Sequence, residues 1–134
     1  MSARSKARKA ALDILYEADI RKVDPKELLE KRSIDSEFRE LTTDLILGVS
    51  EHRGRIDELI SIYAKSWDTD RMPVIDRNIL RLAICEVLWS LETPPAVAID
   101  EAVELAKTLS TEGSSSYING VLRQILEIKG ELAL

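Results

Sequence analysis

The chain has one cysteine and one histidine in 134 residues. Cys85 has no partner for an internal disulfide, and a reducing, cytoplasmic setting is expected from that usage. His52 alone excludes histidine-rich zinc sites. The one conceivable thiol–imidazole pair, Cys85 with His52, falls on two different expected helices. No glycine-rich run of the GxGxxG or Walker type cradles a phosphate. No apolar stretch approaches the roughly 18 residues that span a membrane, and Asp13, Glu17 and Asp19 interrupt any signal-peptide core behind the basic start. Aromatics are scarce at 4%: Trp67, Trp89, Tyr16, Tyr63, Tyr117 and Phe38. With abundant Leu, Ile, Ala, Glu and Lys, that scarcity favours helices over strands.

What remains is ordinary globular composition, 45% apolar and 32% charged, in a length that suits one domain over residues 1–134. The net charge of −5 argues against a general nucleic-acid coat. Its distribution is uneven, because residues 1–10 hold Arg4, Lys6, Arg8 and Lys9 and no acid. A basic arm therefore precedes an acidic body. The acids fall on polar helix faces, so Glu101 with Glu104 and Asp57 with Glu58 read as solvated surface. No carboxylate pair is marked for acid–base chemistry. Neither an enzyme nor a bound cofactor or metal is expected.

Apolar spacing predicts about seven helices and no strand. The first carries Ala7, Ala11, Ile14, Leu15 and Ala18 on one face. Asp24-Pro25-Lys26-Glu27 reads as a capped start for a short second helix ending near Lys31-Arg32. Ser36 opens a third with Phe38, Leu41, Leu45 and Val49, and a break at Arg53-Gly54 separates a fourth with Ile56, Leu59, Ile60 and Tyr63. Trp67 to Pro73 reads as a loop. Val74 to Leu91, apolar around most of its girth, is the central helix, stopped by Glu92-Thr93-Pro94-Pro95. Ile99, Ala102, Val103, Ala106 and Leu109 line the next, with Asp100, Glu101, Glu104 and Lys107 toward water. After the polar stretch Ser110 to Ser116, Ile118, Val121, Leu122, Ile125 and Ile128 build the last. Gly120 inside it costs about 1 kcal/mol against Ala, which close approach of another helix would offset. Cys85 reads as packing and His52 as an exposed polar residue.

The arm is the remaining functional signal. Arg4 and Arg8 lie one turn apart, Lys6 and Lys9 point elsewhere, and Tyr16 two turns beyond can stack an unpaired base. A frayed solubilising terminus and a core-edge tyrosine are the plainer alternatives. On the residues alone this is an RNA-binding or protein-docking helical module.

Four strings carry a resemblance over nearly the whole chain, in order. They are RKAALDILYE at 8–17, PVIDRNILRLAI at 73–84, TPPAVAIDEAVELAK at 93–107 and SSSYINGVL at 114–122. Together they resemble the NusB family of bacterial transcription antitermination factors. The resemblance implies an all-α domain of two three-helix subdivisions and no catalysis. It implies that the ribosomal protein NusE is a partner, and that the pair binds the single-stranded boxA element of nascent ribosomal RNA. That assembly acts within the elongation complex of RNA polymerase and other Nus factors; the free protein is monomeric or homodimeric.

By position, the resemblance assigns phosphate contacts to Arg4, Lys6 and Arg8. It assigns RNA contacts to Tyr16, Tyr63, Ser116, Tyr117 and Asn119, and the NusE surface to Asp76, Arg77, Ile79 and Arg81. Core or rim packing is the alternative for Tyr63 and Tyr117, and an internal salt bridge the alternative for Arg81. The arm departs from the family in having Ser5 and Lys6 where consecutive arginines are usual, and Tyr117 replaces a usual phenylalanine. The rival functions are a docking module without RNA binding, homodimeric in one version, and the NusB-like accessory domain of a ribosomal RNA methyltransferase.

Overall fold

The computed structural model describes residues 1–65 and 72–134. The expected loop at Trp67–Pro73 therefore falls largely outside the described residues, with only Met72 and Pro73 inside them. Among those described, six α-helices and one 3-10 turn make up the regular structure, with no strand. They are α1 (Ala3–Arg21), α2 (Pro25–Lys31), α3 (Arg39–Tyr63), α4 (Val74–Trp89), α5 (Pro95–Leu109) and α6 (Ser114–Ile128), then the turn Lys129–Glu131. No helix of the described residues is long and apolar enough to cross a membrane.

Local chemistry explains most boundaries. The Ser2 side chain accepts from the Ser5 N–H at 3.0 Å and starts α1, which ends on Lys22 in the left-handed region (φ 57°). Asp24 caps α2 by accepting from the Lys26 N–H at 2.9 Å. Glu27 is exposed and does not close the expected capping box. Gly113 precedes α6 at φ 90°, where a side chain would be strained.

Two expected helices are one. The chain runs unbroken from Arg39 to Tyr63, because Ile46, Val49, Ile56, Leu59 and Ile60 bury a single stripe through Gly54. Gly54 sits on the exposed side, so its lost propensity, about 1 kcal/mol, is outweighed by that burial. Ser36 does not open the helix; residues 36–38 form a turn and Phe38 is the cap position, without a side-chain bond.

α4 is the axis of the molecule. It packs on α1, α3, α5 and α6, and Ile79, Leu80, Leu82, Ile84 and Val87 are all enclosed. α1, α2 and α3 contact one another on one side, and α5 and α6 join α4 on the other, giving two three-helix subdivisions that share one apolar cluster. The α3–α4 crossing is tight at Gly48, where a Cβ would lie 2.9 Å from the Cys85 Sγ.

Burial, with the negative charges of Glu86 and Glu51, pushes the Cys85 thiol up to about 12. The thiolate that alkylates is therefore absent near neutrality. Iodoacetamide at pH 8 is expected to leave the folded protein unmodified and to add one carbamidomethyl group once urea unfolds it, as read by intact mass. Rapid labelling of the folded chain would show that the α3–α4 crossing opens.

Candidate nucleic-acid interface

The basic arm is not an arm. Residues from Ala3 onward are the first turns of α1, and helical periodicity divides their cations between two faces. Lys6 lies on the outer face, exposed, and pairs with no acid among the described residues. Lys9 on the same face donates to Asp13 at 2.7 Å. Arg4 and Arg8 point the other way. Arg4 is exposed, but its Nη2 donates to Thr93 Oγ1 at 2.9 Å, at the edge of a depression that Glu37, Glu40, Asp44 and Glu92 border.

Arg8 does not fit the expected phosphate contact. It is 2% exposed; its Nε donates to Glu86 Oε1 at 2.7 Å and its Nη2 to Glu86 Oε2 at 3.0 Å. Glu101 stands 3.6 Å from its Nη1 and also accepts from Ser5 Oγ at 2.7 Å. Burial opposes the Arg8 charge, yet the Glu86 bonds and the two carboxylates more than offset it and raise its pKa. Arg8 is a strut between α1 and α4. Glu101, expected on the solvated face, is partly exposed and also pairs with Arg8 and Ser5.

The expected NusE surface on α4 is largely interior. Asp76 and Ile79 are 0% exposed. Both Asp76 oxygens are taken by hydroxyls, one by Ser110 and the other by Ser114 at 2.9 Å, which ties α4 to the α5–α6 connection. Arg81 is buried between Asp57, which accepts from its Nε at 2.8 Å, and Asp19, which accepts from its Nη1 at 2.8 Å. Asp57 is thus engaged by Arg81 while its side chain stays open to water. Arg77 and Asn78 also donate to Asp19 Oδ2, at 3.0 and 2.9 Å. Burial alone would raise the Asp19 pKa, but these donors and the Arg81 and Arg77 charges hold it below the usual carboxylate range. Of the four expected NusE residues, Arg77 alone is partly open to a partner.

Three of the expected RNA residues do come together. Tyr63 at the end of α3 and Ser116 and Tyr117 in the first turns of α6 line one shallow groove with Ile62, Lys65 and Gln124. Tyr63 and Tyr117 are half-buried against the core, so each ring is anchored on one side. Gly120 forms part of the lining. No helix approaches it, and no atom outside its own helix lies within 4 Å of where its Cβ would be. Close packing of another helix is not seen there among the described residues, and the glycine brings no side chain into the groove. Lys65 and Gln124 escaped sequence reasoning because an isolated lysine just past α3 and a glutamine within α6 carry no pattern. Only the junction of α3 with α6 gives them a common neighbour.

Asn119 lies one position outside this lining and accepts from Arg123 Nε at 3.3 Å. Tyr16, 39% exposed on the outer stripe of α1, is also outside it. His52 is not a free surface residue: its ring stacks on Trp89 with centroids 3.9 Å apart and planes within 5°.

Two half-buried tyrosines lining one groove beside a lysine are a kind of surface on which unpaired bases stack while a phosphate is held. A helix-only chain of this topology has known counterparts. The NusB family model matches residues 5–127. The chain belongs to the NusB family. The transcription antitermination protein NusB of Thermobifida fusca is 49% identical over 133 residues, covering 98% of this chain and 94% of that one. NusB of T. maritima superposes with a TM-score of 0.86 at 35% identity, covering 98% and 99% of the two chains. The NusB of a crystal structure of antitermination factors NusB and NusE in complex with dsRNA gives 0.77 at 30% identity, over 95% of this chain and 98% of that one. The NusB family acts in transcription antitermination and is not a family of enzymes.

Proposed function

We propose that this NusB-family protein binds the single-stranded boxA element of nascent ribosomal RNA together with NusE, in the cytoplasm, and supports antitermination by the elongation complex. The observation that carries the RNA half is the groove in which Tyr63 and Tyr117 stand beside Lys65 and Ser116. Stacked bases occupy the groove, and Lys65 and Lys6 take phosphates in place of the internally engaged Arg8. Tyr16 and Asn119 extend the contact on either side. The related NusB–NusE structure holds duplex RNA; a groove that offers ring faces rather than a wide basic surface favours a single strand here. NusE meets the face around Arg77, since Asp76, Ile79 and Arg81 offer it no free side chain. Residues 1–134 act as one domain.

The test is fluorescence anisotropy of labelled boxA RNA across a salt series, with and without NusE and against a scrambled RNA. Two or three phosphate contacts on a single strand give a log–log salt slope of about −2. Lys6→Glu and Lys65→Glu are each expected to flatten it by about 0.7 without moving the melting temperature. Equal affinity for scrambled RNA would reduce the contact to a nonspecific cationic patch, and no RNA binding with NusE still captured would leave the docking-module reading.

A further inference from the structure

At the other end of α3 from the tyrosine groove, the C-terminal half of α4 and the N-terminal half of α3 enclose a second depression of about 380 Å³. Its α3 wall is the stripe Leu41, Leu45, Gly48 and His52, and its α4 wall is Cys85 and Trp89, followed by Leu91. From Leu41 to His52 this runs roughly 16 Å, three helical turns. Gly48 brings no side chain into it, so the floor stays low where α3 and α4 cross. The rings of His52 and Trp89 stack on one another in its wall, and Leu91 stands fully exposed beside them. Leu47, 45% exposed, adds apolar surface outside the rim.

That rim is of one sign. Glu51, Asp44 and Glu92 border this depression, and Glu37 and Glu40 border its continuation past Arg4. Among the described residues no Lys or Arg is salt-bridged to any of these five. Arg4, held by Thr93, is the one cation at the edge. Nucleic acid is repelled by such a surface. A fully exposed leucine next to the stacked rings is, in turn, costly to leave in water.

We propose that this trough is a protein-docking site for a basic segment, one that seats a bulky apolar side chain against Trp89 and Leu91 and places flanking Lys or Arg over Asp44, Glu51 and Glu92. A helix of about eleven residues, or an extended segment of about five, matches its length. The complementary charge sets which partner docks and how fast, and the apolar surface supplies the anchor. This face is separate from the tyrosine groove and from Arg77, so a protein here and RNA there are held at once.

The experiment places the photo-crosslinker p-benzoylphenylalanine at Leu91 in the full-length protein, assembled with purified RNA polymerase, NusE, the other Nus factors and a boxA transcript. A second sample carries the crosslinker at Lys26, an exposed position on α2. The expected result is one protein adduct from position 91, absent from position 26, whose crosslinked peptide has apolar residues flanked by Lys or Arg. The Asp44→Lys, Glu92→Lys double variant, both positions exposed, is expected to cut that adduct at least tenfold while its melting curve and boxA anisotropy stay unchanged. An adduct to RNA, an adduct to a second copy of this chain, no adduct, or an adduct indifferent to charge reversal would each overturn the proposal. Loss of boxA binding in the unsubstituted protein would instead count against the RNA reading above.

Discussion

Glu86→Ala is expected to destabilise the protein by roughly 3–5 kcal/mol, a large part of the whole stability of a domain this size. The substitution removes both acceptors of a guanidinium that is almost wholly enclosed between α1 and α4. Arg8 cannot shed its charge, because guanidinium stays protonated at any ordinary pH. Nor can it reach water without pulling α1 off α4. Glu101, 3.6 Å away and partly solvated, recovers some of the loss. Urea unfolding followed by circular dichroism measures the effect. The double variant Arg8→Met, Glu86→Leu is expected to regain most of it, since a buried ion pair is often replaceable by apolar side chains of similar volume. If Glu86→Ala costs less than 1 kcal/mol, Arg8 swings out, and its exclusion from RNA binding falls with that result. Charge reversal of Arg8 is accordingly a test of folding and not of RNA recognition.

The second large effect is on RNA. Tyr117→Ala and Tyr63→Ala are each expected to weaken boxA binding by roughly 5- to 150-fold, the range that one lost base–aromatic stack spans at about 1–3 kcal/mol. Both rings also pack on the core, so part of any loss is structural. Melting temperatures separate the two, as does Tyr→Phe, which keeps the ring and removes only the hydroxyl. The phenylalanine variants are expected to bind within about twofold of the parent. Should Tyr117→Phe bind as weakly as Tyr117→Ala, the hydroxyl is the recognition element and stacking is not. Because both tyrosines line one groove, the double alanine variant is expected to lose less than the sum of the two single losses.

Helix positions were readable because each helix buries one stripe and the stripe shows in the spacing. The Gly54 region was the exception. Glycine signals a break only when nothing on either side holds the helix together, and Val49 and Ile56 do so here. The expected aromatics Tyr63 and Tyr117 line one groove, and the proposal of base stacking rests on that juxtaposition. The charged positions are engaged inside the fold, and for Arg81 the internal salt bridge weighed as the alternative is present, to Asp19 and Asp57. Arg8, Arg81 and Asp76 look in sequence like any surface charge on an amphipathic helix. Each is buried because its partner (Glu86, Asp19 with Asp57, Ser110 with Ser114) comes from a different helix.

The sequence by itself determined the helical class, the central place of α4 and the family, since local periodicity and contiguous strings carry these. Only the tertiary structure decided which cations are free and which are struts, that Tyr63 and Tyr117 share a groove, and that the acids of α3 gather with Glu92 around an apolar trough. Those are pairings between residues tens of positions apart, and their energies depend on burial and partner distance, which no single stretch of sequence records.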